Sequence, residues 1–223
     1  MIKLFGHPES FYTNMIRVLL WEGRIPFDFV KLDLEGRDHL EPDYLKRSPF
    51  GRVPSISDGN FHLSETRAVL RYIATEYRLR TWYPSDAKAR ALVDQWMDRA
   101  ISYVSDPLGQ LRSAKKPSPS DHFAESPDVA DQRLKEDLKI RKTVLRRRYY
   151  DILERNLAIF DRHLNGAKFL EGDMPTLGDL VLTPYVASGF MKKTGALKGK
   201  PNLGAWLERM STTTEWKKIY TAE

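Results

Sequence analysis

An α/β domain followed by an all-helical domain is the fold class this sequence predicts. Strand-like and helix-like segments alternate over about the first 78 residues. Beyond residue 87 every periodic stretch repeats at helical spacing, and a segment that fits neither period separates the two regions.

Each element has a local reason. Residues 2–7, IKLFGH, read as a short buried strand, and 13–23 as a helix with Ile16, Leu19 and Leu20 on one face. FDFVKLDL, 27–34, is rich in β-formers and predicts a second strand. Residues 38–47 read as helical. VPSISDGNFHL, 53–63, predicts two strands around a turn at Asp58-Gly59. SETRAVLRYIATEY, 64–77, opens with Ser64 as a cap and carries Ala68, Val69, Tyr72, Ile73 and Ala74 at helical spacing. The order β-α-β-α-β-β-α packs as one small mixed sheet with helices on its faces.

RLRTWYPSD, 78–86, breaks the pattern, so the predicted division is 1–80, a linker at 81–86, and 87–223. In the second region 87–112 predicts one helix and 144–164 another, the latter striped by Leu145, Tyr149, Ile152, Leu153, Leu157, Phe160 and Leu164. Shorter helices are predicted near 176–191, 203–210 and 214–220, the first opened by the capping-box variant Thr176–Asp179. The segment 113–128, with three prolines and four serines, predicts a flexible connection or a lid.

The chain has 223 residues, 41% of them hydrophobic and 30% charged, enough for a sizeable core under a polar surface. It has no cysteine, which excludes disulfides, thiolate metal sites and a catalytic thiol of its own. The five histidines are scattered and give no metal-ligand spacing, and no Gly-rich phosphate or dinucleotide loop is present. No apolar run approaches the roughly 18 residues that a membrane helix needs, and no leader pattern precedes the first strand. A soluble, cytoplasmic protein that engages no membrane is expected. The net charge is +6, and much of it lies in 133–148, with eight basic and two acidic residues. Such a run reads first as a solvated helix face and only second as a nucleic-acid or acidic-lipid contact.

LFGHPESFYTNMIRVLL, 4–20, places Ser10, Tyr12 and Thr13 where a strand turns into a helix. Small hydroxyls there cap free backbone N–H groups. The same helix start also favours an anion, so the hydroxyls suit the handling of a nucleophile.

GHPES at 6–10 with Thr13 resembles the Gly-His-Pro-x-Ser-x-x-Thr start of phi-class glutathione transferases. SPFGRVPSISDGNFHLSETRAVLRYIA, 48–74, is similar to that superfamily's Asn-Pro-x-Gly-x-Val-Pro and Glu-Ser-x-Ala-Ile segments, and FLEGDMPTLGDL, 169–180, to its Phe-Leu-x-Gly-Asp…Ala-Asp-Leu signature. The resemblance runs in order through both regions, thinnest over 105–145, and points to the serine-type phi and theta groups.

The resemblance implies a thioredoxin-like N-terminal domain that binds glutathione as co-substrate, without a metal. It implies an all-helical domain that contributes a pocket for a small hydrophobic electrophile, and a homodimer. Ser10 takes the catalytic role, with Thr13 left to cap the first helix and Tyr12 a second candidate hydroxyl. The tyrosine-type position falls on Gly6. Val53-Pro54 matches a cis-proline that presents backbone to the cysteinyl group, Glu65 and Thr66 match the pair that meets the γ-glutamyl group, and Arg67 follows them. His39 and Arg52, the latter in place of a common glutamine, are candidates for the glycyl carboxylate. Phe11, Tyr12, Tyr103 and Leu111 are assigned by position to the electrophile pocket. Peroxidase, isomerase or dehalogenase side activity is compatible with the same thiolate. The alternative is a non-catalytic interaction or stress-response protein of the same fold.

Overall fold

The computed structural model describes residues 1–113 and 129–220, apart from the side chains of 113, 129–138, 141, 142 and 220. The predicted lid or flexible connection therefore lies outside the described residues, save Ser113, which ends a helix.

Strands β1 (Ile2–Gly6), β2 (Phe27–Lys31), β3 (Ser55–Asp58) and β4 (Phe61–Ser64) form one sheet in the order β2-β1-β3-β4. β1 runs parallel to β2 and antiparallel to β3, with Leu4 opposite both Phe29 and Ile56. The alternation of β1 divides its faces. Ile2 and Leu4 are fully buried in the core, with Gly6 against Thr13 of α1 (Phe11–Glu22), while Phe5 meets Tyr44 of α2 (Pro42–Leu45) edge-on at 6.4 Å. α1 packs beside α3 (Thr66–Glu76), closing the buried face with Ile16, Leu19, Leu20, Val69, Leu70 and Ile73.

Three local expectations shift. The hairpin connection is Gly59-Asn60, because Asp58 still pairs with Phe61, and Gly59 takes the positive φ of 57° that the turn needs. Ser64 belongs to β4, so the position before α3 falls to Glu65, at φ 70° and ψ 104°. Thr13 lies inside α1, and Ser10 is its cap.

The helical region comprises α4 (Ala87–Ala100), α5 (Asp106–Ser113), α6 (Val129–His163), α7 (Leu177–Val186), α8 (Gly189–Thr194), α9 (Pro201–Thr213) and α10 (Lys217–Tyr220). The single helix predicted over 87–112 is interrupted by a wide π-helical turn over Ile101–Ser105. Pro107 explains it: a helical proline has no N–H and crowds the carbonyl four residues back, here Tyr103. That carbonyl accepts from Asn156 Nδ2 of α6 at 2.9 Å instead. α6 begins 15 residues before the predicted start at 144, and the described side chains from 139 to 148 are exposed up to Arg148. The predicted helix over 176–191 divides into α7 and α8 at Ala187 and Ser188. Among the described residues no helix is long and apolar enough to cross a membrane.

Two pairs of charges join α3 to α4. Arg67 meets Asp98, and Arg71 Nε donates to Asp94 Oδ1 at 2.7 Å, while the Tyr83 hydroxyl donates to Asp94 Oδ2 at 3.0 Å. Buried side chains continue from the sheet through α4 and α7 as one core.

Asp179 organises the C-terminal half. It is fully buried, and its carboxylate accepts from Leu170 N–H, Thr176 N–H, the Thr176 hydroxyl and Trp206 Nε1 at 2.8 to 3.0 Å. Burial pushes the carboxyl's pKa up, and these donors oppose the shift. Asn has one acceptor oxygen and brings an amide donor into a site that supplies only donors. Asp179→Asn and Asp179→Ala are therefore both expected to cost about 3 kcal/mol or more, read as a lowered urea midpoint. A midpoint for Asp179→Asn close to wild type would contradict this.

Candidate functional site

The β1–α1 turn is held from several directions. Ser10 N–H donates to His7 O at 3.0 Å, and Ser10 Oγ accepts from Thr13 N–H at 3.3 Å. Thr13 Oγ1 accepts from His7 N–H at 3.3 Å, and Asn14 Nδ2 donates to Pro8 O at 2.8 Å. Ser10 Oγ thus satisfies one of the free amides of α1 and keeps its own hydrogen for an incoming acceptor. Thr13, fully buried, is unavailable for that role.

Two hollows open beside this turn. One, of about 460 Å³, is lined by Tyr12, Phe50, Arg52, Val53, Pro54, Glu65 and Thr66. The other, of about 650 Å³, is lined by His7, Glu9, Ser10, Lys31, Asp33, Leu34 and Glu35. The Val53-Pro54 peptide is cis, as the sequence resemblance implies. Its loop is tied down through the Arg52 carbonyl, which accepts from Tyr44 Oη at 2.7 Å and Ser48 Oγ at 2.9 Å. Glu65 holds a backbone conformation that L residues rarely adopt, and Thr66 starts α3, so the end of that helix where backbone amides are free lines the first hollow.

The predicted residues divide accordingly. Arg52, Val53, Pro54, Glu65 and Thr66 converge on the first hollow, where Tyr12 joins them, and Ser10 lines the second. Arg67 is engaged by Asp98 on α4. His39 is half-buried in the turn Asp38–Leu40 that precedes α2, with its Nδ1 buried and without a partner among the described residues. Its backbone lies against Gly51 of the Val53-Pro54 loop.

The four residues assigned by position to an electrophile pocket are not gathered together. Phe11 packs edge-on to Tyr185 at 6.3 Å under the Arg112 guanidinium. Tyr103 is half-exposed on the π-helical turn, and Leu111 lines a separate hollow with Arg146, Arg147, Tyr150 and Phe190. The pitch change before Pro107 rotates the helix beyond it, so a position counted along an unbroken helix misplaces Leu111, while Tyr103 lies within the wide turn itself.

The surroundings of Ser10 include residues that sequence reasoning missed. β2 ends at Lys31, not 34, because Asp33 turns the chain. Its carboxylate accepts from the N–H groups of Glu35 and Gly36 at 3.0 Å, which holds it below the usual carboxylate range. The Asp33-x-x-Gly36 spacing was the available signal, since Asp before Gly favours such a turn. Lys31, Leu34 and Glu35 reach the Ser10 hollow as a result. Among the described residues no group of three or more His, Asp or Glu is placed to hold a metal ion.

The glutathione S-transferase N-terminal domain model matches residues 1–75, and the C-terminal domain model matches 124–213. Glutathione S-transferase F12 of Arabidopsis thaliana is 30% identical, over 98% of this chain and 97% of its own. Glutathione S-transferase 3 of Zea mays is 28% identical over 99% and 94%. Among solved structures, poplar glutathione transferase F1 superposes with a TM-score of 0.79 at 26% identity, covering 99% of this chain and 96% of that one. A glutathione transferase family member from Pseudomonas fluorescens, solved with two glutathione bound, shares the fold at a TM-score of 0.77 and 21% identity over 94% and 88%.

The close approach of β1 to α1 lends itself to direct measurement. A Cβ on Gly6 would lie 2.6 Å from both Thr13 Cγ2 and Thr13 Oγ1, so no side chain fits there. Gly6→Ala is expected to lose about 1–3 kcal/mol of stability in denaturant titrations. Adding Thr13→Ala should recover part of that loss, and a Gly6→Ala protein as stable as wild type would show that the contact is slack.

Proposed function

Because the chain belongs to the glutathione S-transferase family, we propose that it joins the glutathione sulfur to a small hydrophobic electrophile from the turn that opens α1. Glutathione is the co-substrate. The observation that carries the proposal is that the start of α1 lends Tyr12 to one hollow, lined by backbone and charge for a tripeptide, and Ser10 to the other.

In this reading the cysteinyl group lies along the cis Val53-Pro54 backbone in the manner of an added strand. The γ-glutamyl carboxylate meets the first amides of α3 and the Thr66 hydroxyl, with Glu65 facing the ammonium. Arg52 and His39 take the glycyl carboxylate. Arg67, held by Asp98, braces the start of α3. A free thiol has a pKa near 8.5, and lowering it by about two units takes roughly 2.7 kcal/mol of preference for the thiolate. The Ser10 hydroxyl donating to sulfur, with the free amides of α1 behind it, supplies a contribution of that order. The thiol proton leaves to solvent. The sulfur lone pair then forms the S–C bond while the electrophile's leaving group, or the electron pair of its activated double bond, departs from the attacked carbon.

The electrophile enters by the Ser10 hollow, over Leu34. Residues 1–80 act as the glutathione-binding domain and 87–223 as the helical domain that completes the pocket, the whole working in the cytoplasm as a homodimer. The exposed aromatics Phe50 and Phe61 are consistent with such pairing, being 83% and 46% accessible in one chain. Peroxidase, isomerase or dehalogenase activity would use the same thiolate. The non-catalytic reading is disfavoured by relatives named as transferases over nearly their whole length.

Isothermal titration should give a glutathione Kd below 1 mM, and absence of binding would remove the proposal. Ser10→Ala should raise the pKa of the bound thiol by about one unit or more, followed by ultraviolet titration of the thiolate, with glutathione affinity little changed. An unmoved pKa would take the role from Ser10.

A further inference from the structure

We propose that Tyr12 is a second hydroxyl donor to the glutathione sulfur and that Tyr185 positions it. The inference rests on the assignment of the 460 Å³ hollow to glutathione. α1 opens with three hydroxyl-bearing residues. Thr13 is buried and bonded to the His7 amide, which leaves Ser10 and Tyr12. Of these, Tyr12 shares its hollow with Val53, Pro54 and Thr66, whereas Ser10 lines the neighbouring one. A cysteinyl group held against Val53 directs its thiol toward α1, and the α1 side chain lining that hollow is Tyr12. A phenol is a stronger hydrogen-bond donor than an aliphatic alcohol, because its conjugate base is far more stable.

The support behind Tyr12 is aromatic. Its ring meets Tyr185 edge-on, with centroids 6.4 Å apart and planes at 68°, a favourable arrangement of ring quadrupoles. Phe11 meets the same Tyr185 ring at 6.3 Å, so α7 holds the first turn of α1 at two adjacent residues. Tyr185 is 3% accessible, and its hydroxyl, near Ser105 and Tyr12, completes no hydrogen bond among the described residues. Burial, with Tyr12 close by, pushes its ionisation well above the ordinary phenol value, so it stays protonated and sets no negative charge behind the thiolate. Tyr12 as a residue is 42% accessible and lines the hollow.

Tyr12→Phe keeps the ring and removes only the hydroxyl. Ultraviolet titration of the glutathione complex should then show a thiol pKa raised by about half a unit or more. That corresponds to roughly a threefold smaller thiolate fraction below the pKa. The glutathione Kd by isothermal titration should stay within about twofold. Tyr185→Leu removes the ring behind Tyr12 and, with circular dichroism to confirm the fold, should move the pKa the same way by a smaller amount and shift the acid limb of the kcat/KM pH profile with it. An unchanged thiol pKa in folded Tyr185→Leu takes the positioning role from Tyr185. An unchanged thiol pKa in Tyr12→Phe overturns the inference, whether or not turnover falls. A wild-type protein that binds no glutathione overturns the parent assignment, and the inference with it. Binding with a normal pKa in Tyr12→Phe leaves the parent assignment standing and removes this step alone.

Discussion

A single buried carboxylate sets the arrangement of the helical half, and through it the position of the site. Asp179 collects donors from the chain before α7, from the start of α7 and from Trp206 on α9. A charge without water is costly, and only a full set of donors makes its burial tolerable. The three segments must therefore meet at one point or leave an anion unpaired. α7 carries the consequence outward, since it packs against α4 on one side and α1 on the other. The aromatic contacts of Phe11 and Tyr12 with Tyr185 are where a constraint in the helical half becomes a constraint on the first turn of α1.

The proposed chemistry depends on what that first turn offers an anion. Free amides, a cap whose hydroxyl hydrogen is still available, and an accessible phenol are grouped at residues 10–12, within six residues of the end of β1. None of these groups changes charge during the reaction. The contributions are dipolar and fixed before substrate arrives, so little reorganisation is required when charge gathers on sulfur. Ordinary acid–base residues are not needed to hold it. The charged side chains of Glu9, Lys31, Asp33 and Glu35 line the same hollow as Ser10.

Much of the architecture was legible because it follows local periodicity. The four strands and the helix ending at His163 come from runs of β-formers, a turn signal and helical spacing. The Asp179 capping arrangement was also visible, as Thr176 through Asp179. What escaped depended on contacts distant in sequence. The Tyr103 carbonyl is relieved by Asn156, 53 residues away, and that partner decides how the helix passes Pro107. The end of β2 depended on a carboxylate folding back on Gly36, which the β-rich run 27–34 concealed. Ser10 was readable as a small hydroxyl before an apolar helix. That Tyr12 and Ser10 open onto different hollows was not, because two residues of helix separate them by a rotation whose surroundings the sequence does not state.

The paired charges between α3 and α4 bear on how the two halves can move. Arg67 and Arg71 lie one helical turn apart, as do Asp94 and Asp98, so the seam has two teeth on each side. Sliding one helix along the other by a turn, about 5.4 Å, would bring one tooth into a wrong notch and strand the other. Intermediate positions would strand both. The seam is thus indexed: it tolerates small tilts about the teeth but resists translation along the axis. The two halves are thereby held at a constant axial offset along this seam.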